Sequence, residues 1–284
     1  MIGWLAAFVL VWVLLIVLGA CAMTMRYRGG DSFHIALIQV GIRVYAKLVH
    51  RVRFEGLEHA RAATRAHRAG RAVIVAPNHT AGCDPLIVQA GIGFEPRWMM
   101  ASDMRAEGME WVWELARIIF VDREKNDARS AREALRHLKS GGALGVFPEG
   151  HLERPPRKIL PYRAGVGLLA KGSKAVVLPV LIEGTPQVDP AWSSLWRPSA
   201  SRVTYLEPID YAGTDLDAQG IADELRRRMI DASGWEATER GPVITATERF
   251  MIDLNGHYYD EKTGERVSDE EVRARTAHKE EAVA

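Results

Sequence analysis

The apolar positions change rhythm three times along the chain. Trp4–Ala22 is an almost unbroken apolar run, and residues 1–25 carry no charged side chain. As a helix that run would extend roughly 28 Å, about one hydrocarbon core. It predicts a transmembrane anchor over residues 1–25. A cleaved signal peptide and a buried core helix are the competing readings. The lack of a basic n-region argues against the first. Leu18-Gly19-Ala20-Cys21 also fits a bacterial lipoprotein cleavage box.

Phe33–Val52 switches to helical spacing, with Ile35, Ile38, Ile42, Tyr45, Leu48 and Val49 apolar and Arg43, Lys47 and Arg51 between them. Residues 26–55 are therefore predicted as a juxtamembrane, basic amphipathic segment lying in the interface plane. From Arg43 to Arg71 seven arginines and one lysine stand against Glu55 and Glu58, a local net charge of +6. That favours anionic lipid head groups. Residues after Glu58 fit a solvated helix face equally well.

From Ala72 to Gly234 short apolar runs alternate with helical patterns. Strands are predicted at Ala72–Ala76, Arg97–Ala101, Arg117–Val121, Ala143–Phe147, Ala175–Val180 and Arg202–Leu206. Helices are predicted at Pro85–Ile92, Glu110–Ala116, Asp127–Ser140, Gly165–Lys171 and Asp217–Ala232. This is the pattern of an α/β domain, residues 56–235, with a central mostly parallel sheet flanked by helices. Residues 236–284 read as a charged C-terminal tail, mobile or loosely docked. Within it, Phe250–Leu254 and Tyr258–Tyr259 have the apolar content to fold back.

Composition narrows the class. With 284 residues and 48% hydrophobic content the chain can bury a full core. Net charge is +1, so bulk charge does not mark a nucleic-acid partner. Cys21 and Cys83 are too few for a disulfide framework or a cysteine zinc site. No acidic cluster suggests a dedicated metal site, and no bound cofactor is expected. Arg26 and Arg28 follow the apolar run and nothing basic precedes it, which places the C-terminal side in the cytoplasm. The expected localisation is a cell inner membrane, single-pass, with the catalytic domain cytoplasmic.

The chemistry concentrates at Pro77–Pro85, Pro-Asn-His-Thr-Ala-Gly-Cys-Asp-Pro, between a predicted strand and a predicted helix. His79 and Asp84 share that loop. A histidine oriented by a carboxylate is a general base for an alcohol. The plainer reading makes Asp84 a helix N-cap with Pro85 at the first helical position. Both hold together, because a capping loop also fixes the distance between the two side chains. Cys83 is a poor nucleophile candidate, since activating a thiol takes an identifiable basic partner.

Three further stretches follow other predicted strands: Phe120-Val121-Asp122-Arg123, Phe147-Pro148-Glu149-Gly150 and Val177-Leu178-Pro179-Val180. With Asn78-His79 and Asp84, and in this order, they resemble the four motif blocks of the glycerolipid acyltransferase family, of the 1-acylglycerol-3-phosphate acyltransferase type. The resemblance spans roughly Pro77–Thr185. It implies transfer of a fatty acyl chain from acyl-CoA or acyl-ACP to a lipid hydroxyl, with membrane lipids and the acyl carrier as partners. It implies His79 as base and Asp84 as its orienting partner. It assigns Asn78, Arg123, Glu149, Gly150 and Arg154 to the acceptor site, where a guanidinium suits a phosphate. Arg123 also reads as a surface ion pair with Asp127.

The chain departs from the family pattern after Gly150. The block usually continues Thr-Arg-Ser; here it is His151-Leu152-Glu153-Arg154, so the expected basic position holds Glu153. Either Arg154, Arg157 or Lys158 substitutes, or the acceptor is another lipid alcohol, such as an aminolipid or glycolipid. A non-catalytic lipid or acyl-carrier binding module, and a hydrolase using His79 on water, are further alternatives. Mere binding needs no base, so the His79/Asp84 pair argues against the module.

Overall fold

The structure is a computed structural model that describes residues 33–106, 108–122, 128–153, 157–188 and 191–244. It also describes shorter pieces at 11–14, 16–17, 19, 249–253, 258–260, 265–268 and 270–271. The expected anchor over 1–25 lies largely outside these residues; the pieces at 11–14, 16–17 and 19 are helical. Among the described residues no helix is long and apolar enough to cross a membrane.

Helix α1 (Phe33–Leu48) and strand β1 (Arg53–Glu55) lead into α2 (Leu57–Arg68) and β2 (Val73–Pro77). Then come α3 (Asp84–Gln89), β3 (Arg97–Ala101), α4 (Glu110–Leu115), β4 (Ile119–Val121), α5 (Ala128–Lys139), β5 (Ala143–Gly145) and β6 (Lys158–Ile159). Helix α6 (Gly165–Ser173), β7 (Val176–Glu183), β8 (Arg202–Tyr205), β9 (Ile209–Asp210) and α7 (Ala218–Ser233) complete the domain. The main sheet runs β1-β8-β7-β2-β5-β3-β4, with β9 also on β7. All neighbours are parallel except β7 with β8 and β7 with β9.

Strand β2 is central and buried on both faces, as its continuous apolar run requires. Side chains alternate across a strand. Ile74 and Ala76 therefore join Leu144 and Val177 beneath α5, α6 and α7, represented by Leu138, Val166 and Leu225. Val73 and Val75 join Leu178 and Val180 on the other face, against Ala60, Ala63 and Ile87 of α2 and α3. Two cores thus clamp one sheet, and the carboxyl ends of β2, β5 and β7 converge at one edge.

Three features differ from the sequence reading. Strand β5 ends at Gly145, not Phe147. Pro148 carries no N–H for the ladder, and the chain turns, with the Gly150 N–H donating to the Phe147 carbonyl at 3.1 Å. Helix α1 docks on the domain: Ala46 and Gln39 are buried, and Arg43 Nε donates to the Ala90 carbonyl at 2.9 Å. The segment read as a tail contains strands: β10 (Glu236–Ala237) pairs with β6, and β11 (Arg240–Ile244), β12 (Arg249–Asp253), β13 (Tyr258–Asp260) and β14 (Arg266–Val267) form an antiparallel sheet.

Asn78 immediately follows β2 and is fully buried. Its Nδ2 donates to the Ile182 carbonyl at 3.1 Å and its Oδ1 accepts the Ile182 N–H at 2.7 Å. This corrects its assignment to the acceptor site: both ends of the amide are spent stitching the loop to β7. Asn78→Ala strands a buried N–H and a buried carbonyl, so thermal or denaturant unfolding should show a loss of about 2–4 kcal/mol.

Candidate active site

Pro77 ends β2, and the chain must cross the sheet edge before α3 can start. The carboxylate of Asp84 organises that crossing. Its Oδ2 accepts the Thr80 N–H at 2.6 Å, the Ala81 N–H at 2.8 Å and His79 Nδ1–H at 3.0 Å. The Thr80 hydroxyl lies 3.1 Å from Oδ1 and also bonds the Thr185 hydroxyl just beyond β7. Asp84 is fully buried, whereas the His79 side chain is 19% exposed. A buried carboxylate facing backbone N–H groups can only accept, so the imidazole proton sits on Nδ1. Nε2 then carries a lone pair.

A second hand holds the loop from β5. The turn Phe147–Gly150 brings Glu149 Oε1 to 3.1 Å from the His79 N–H. The Phe147 ring stacks on the imidazole, centroids 3.9 Å apart and planes 19° from parallel, and Trp98 stacks behind Phe147 at 5.4 Å. Gly150 makes the turn with φ +72°, and a methyl there would come within 2.8 Å of Arg163 Nε. Arg163 Nη2 reaches His151 Nε2 at 3.1 Å. Phe147 opens one of the motif blocks but was given no role from the sequence; no local pattern distinguishes an aromatic that stacks on a neighbouring strand's loop from one that fills a core.

Of the residues assigned by resemblance, the structure brings together His79, Asp84, Glu149 and Gly150. Glu149 is buried, and its carboxyl serves the backbone of His79. Burial pushes its proton affinity well above the usual carboxylate range, with Glu153 adding to the rise. Arg123 and Arg154 lie outside the described residues. Cys83 is fully buried and burial pushes its thiol up to about 12, so no thiolate nucleophile stands in this loop.

Glu153 occupies the position where the family pattern puts a basic residue. It is fully buried. Its N–H donates to the His79 carbonyl, and its Oε1 accepts the backbone N–H groups of Arg157 and Lys158. It clasps the following loop instead of presenting charge to an acceptor. Burial raises its carboxyl from 4.5 to about 7. The folded state therefore holds this proton more tightly than the unfolded chain. The stability it contributes is complete below pH 4.5 and is lost as pH rises towards 7. Glu153→Gln should flatten that slope: melting curves at pH 5 and pH 8 should separate less in the variant than in the parent, by about a few degrees.

Residues 51–183 match the family model described as Acyltransferase. Among solved structures, the chain resembles the 1-acyl-sn-glycerophosphate (LPA) acyltransferase PlsC from Thermotoga maritima. The two share 21% identity and a TM-score of 0.57, over 80% of this chain and 92% of that one.

Proposed function

From its membership of the glycerolipid acyltransferase family, and hence its being an acyltransferase, we propose that this chain moves a fatty acyl group from a thioester carrier to the hydroxyl of a membrane lysolipid. The observation that carries the reading is the 3.0 Å bond between His79 Nδ1 and buried Asp84, which leaves Nε2 on the accessible side of the loop. Nε2 accepts the proton of the acceptor hydroxyl as its oxygen attacks the thioester carbonyl. The tetrahedral oxyanion collapses, the C–S bond breaks, and the imidazolium returns the proton to the departing thiolate. Asp84 holds the ring in the productive tautomer and stabilises the imidazolium. The acceptor itself attacks, so no protein nucleophile is used.

A lysophosphatidate acceptor, giving phosphatidate, is the first reading. Glu153 favours a second, a lipid alcohol with another head group, because that position lends no cation to a phosphate. Incubating purified protein with acyl-CoA or acyl-ACP and a panel of lysolipids, and weighing the lipid product, separates the two. Product only from 1-acylglycerol-3-phosphate supports the first; product only from an aminolipid or glycolipid supports the second; free fatty acid alone defeats both. Residues 1–25 serve in this reading as the membrane anchor, and their deletion should move the protein from washed membranes to the supernatant.

A further inference from the structure

Helix α1 ends at Leu48, and the chain then turns through Arg51, whose φ of +43° is a left-handed conformation uncommon for a residue with a side chain. His50, just before that turn, is fully buried. Both of its ring nitrogens are engaged. Nε2 lies 2.8 Å from the Tyr45 hydroxyl of α1, and Nδ1 lies 2.8 Å from the Ser199 hydroxyl. The Tyr45 hydroxyl gives its one proton to the Leu195 carbonyl at 2.9 Å, so it accepts from the ring, and Nε2 carries the ring proton. Nδ1 then accepts from Ser199, and Ser199 accepts from Ser201 at 2.7 Å. Donation thus runs one way, from Ser201 through Ser199, His50 and Tyr45 to Leu195, and each bond polarises the next. Two backbone bonds tie the same stretches: Ser199 N–H to the Val49 carbonyl at 3.1 Å, and Ser201 N–H to the His50 carbonyl at 3.0 Å. Burial lowers the proton affinity of the ring below the ordinary histidine value, with the Asp84 carboxylate opposing that shift.

The segment hung from this chain also holds the catalytic loop. Ala191–Trp196 is a 3-10 turn, and Ser194 within it is fully buried. Ser194 Oγ accepts the Cys83 N–H at 3.0 Å and donates to the Ala191 carbonyl at 2.7 Å. The Ala191 carbonyl in turn packs against Gly82, where a methyl would lie only 2.6 Å from it. Gly82 and Cys83 directly precede Asp84, whose carboxylate orients His79. Ser194 bonds the loop and its neighbour Leu195 bonds α1, so one planar, stiff peptide joins the two attachments.

Apolar side chains could fill this interior without the cost of burying polar groups. A closed hydrogen-bond chain adds direction: it fixes one arrangement of the segments that it joins.

We propose that Tyr45 and His50 are positioning residues for the acyl transfer: through the peptide joining Ser194 and Leu195 they set the turn Gly82–Asp84, and with it the carboxylate that orients His79. The proposal rests on the reading of His79 as the base, and it names what holds that base's partner in register.

The test uses the full chain, acyl-CoA and the lysolipid that the parent acylates fastest. Tyr45→Phe removes one hydroxyl and keeps the ring. Its kcat should fall about tenfold or more while the acceptor KM stays within about twofold, the signature of a misplaced catalytic group. His50→Gln carries an amide N–H that can stand where Nε2–H does, whereas the shorter amide of His50→Asn reaches only the Nδ1 position. The Gln variant should therefore turn over about fivefold faster than the Asn variant or better, and equal turnover overturns the proposal. Hydrogen exchange of the peptide covering residues 79–84 gives a readout without substrate, and in Tyr45→Phe it should quicken about tenfold. Tyr211→Phe is the control. It removes a buried tyrosine hydroxyl bonded to Glu224 in the core on the other face of the sheet. It should melt lower and leave kcat and loop exchange at the parental values. If Tyr45→Phe also melts lower but keeps parental kcat and loop exchange, the network is merely structural and the proposal fails. It fails too if the two tyrosine variants lose turnover equally. Should the parent acylate no lysolipid, the proposed function falls, and loop exchange alone decides: unchanged exchange in Tyr45→Phe overturns the link from α1 to the loop.

Discussion

His79→Ala should lower turnover about 10³- to 10⁴-fold, the loss expected when a positioned general base is removed from a proton transfer. The expectation follows from the way the ring is held. Nδ1 is engaged by Asp84, one face is covered by Phe147, and the backbone N–H is fixed by Glu149. Every one of these contacts orients Nε2, and none uses it. The fold should survive, because the ring is partly exposed and the Asp84 carboxylate keeps its two backbone donors, Thr80 and Ala81. Steady-state turnover beside circular dichroism checks both halves. A variant that folds and retains more than a tenth of the activity would remove His79 from the mechanism.

Asp84→Asn should cost nearly as much in turnover, about 10³-fold or more. If its role were only to cap α3, Asn would serve about equally well. The structure corrects that cap reading: Cys83 is the N-cap of α3, Asp84 is its first residue, and no side chain caps the helix, because the carboxylate turns back to the loop. One carboxylate oxygen accepts from His79 Nδ1, Thr80 N and Ala81 N together. An amide has one accepting oxygen and a nitrogen that only donates. If its oxygen takes the place of Oδ2, the three donors keep their acceptor, but the neutral amide no longer stabilises the imidazolium. If the amide turns the other way, its nitrogen faces all three, which strands two buried N–H groups and drives the ring proton to Nε2, where no base remains. The variant should therefore also melt lower, by about 1–3 kcal/mol of stability. Near-normal activity in a well-folded Asp84→Asn protein would reduce Asp84 to an architectural role.

The stability predictions for Asn78 and Glu153 have the opposite character, since both residues act on the frame around the imidazole. Asn78 and Glu149 stand in motifs and are polar, and such residues read from sequence as facing a ligand. Asn78 instead closes both of its hydrogen bonds on Ile182, and Glu149 turns its carboxyl to the backbone of the catalytic loop. Which way a side chain turns depends on the strand beside it, and that strand is 104 residues away for Asn78 and 70 for Glu149. Glu153 shows the same limit. The sequence exposes the departure from the family pattern, but only the packing shows that the carboxyl clasps a loop.

What the sequence alone determined was local. The unbroken apolar run before Pro77 made β2 a buried strand. The Asp84-Pro85 step placed a helix start at the end of the loop. The spacing between His79 and Asp84 kept base and carboxylate within one loop, because a loop that starts a helix has few ways to run. Alternating runs and helical patterns fixed the α/β class for the same reason: each depends on neighbours a few residues apart. What only the tertiary structure decided was non-local. The order of β2 between β5 and β7 brings Phe147 to the imidazole, Glu149 to the backbone of His79 and Thr185 to the Thr80 hydroxyl beside it. The docking of α1 sets Arg43 on the Ala90 carbonyl, and that of Ala191–Trp196 sets Ser194 on the Cys83 N–H of the catalytic loop. Those choices depend on which distant surfaces can bury one another, and residue spacing along a chain carries no measure of that.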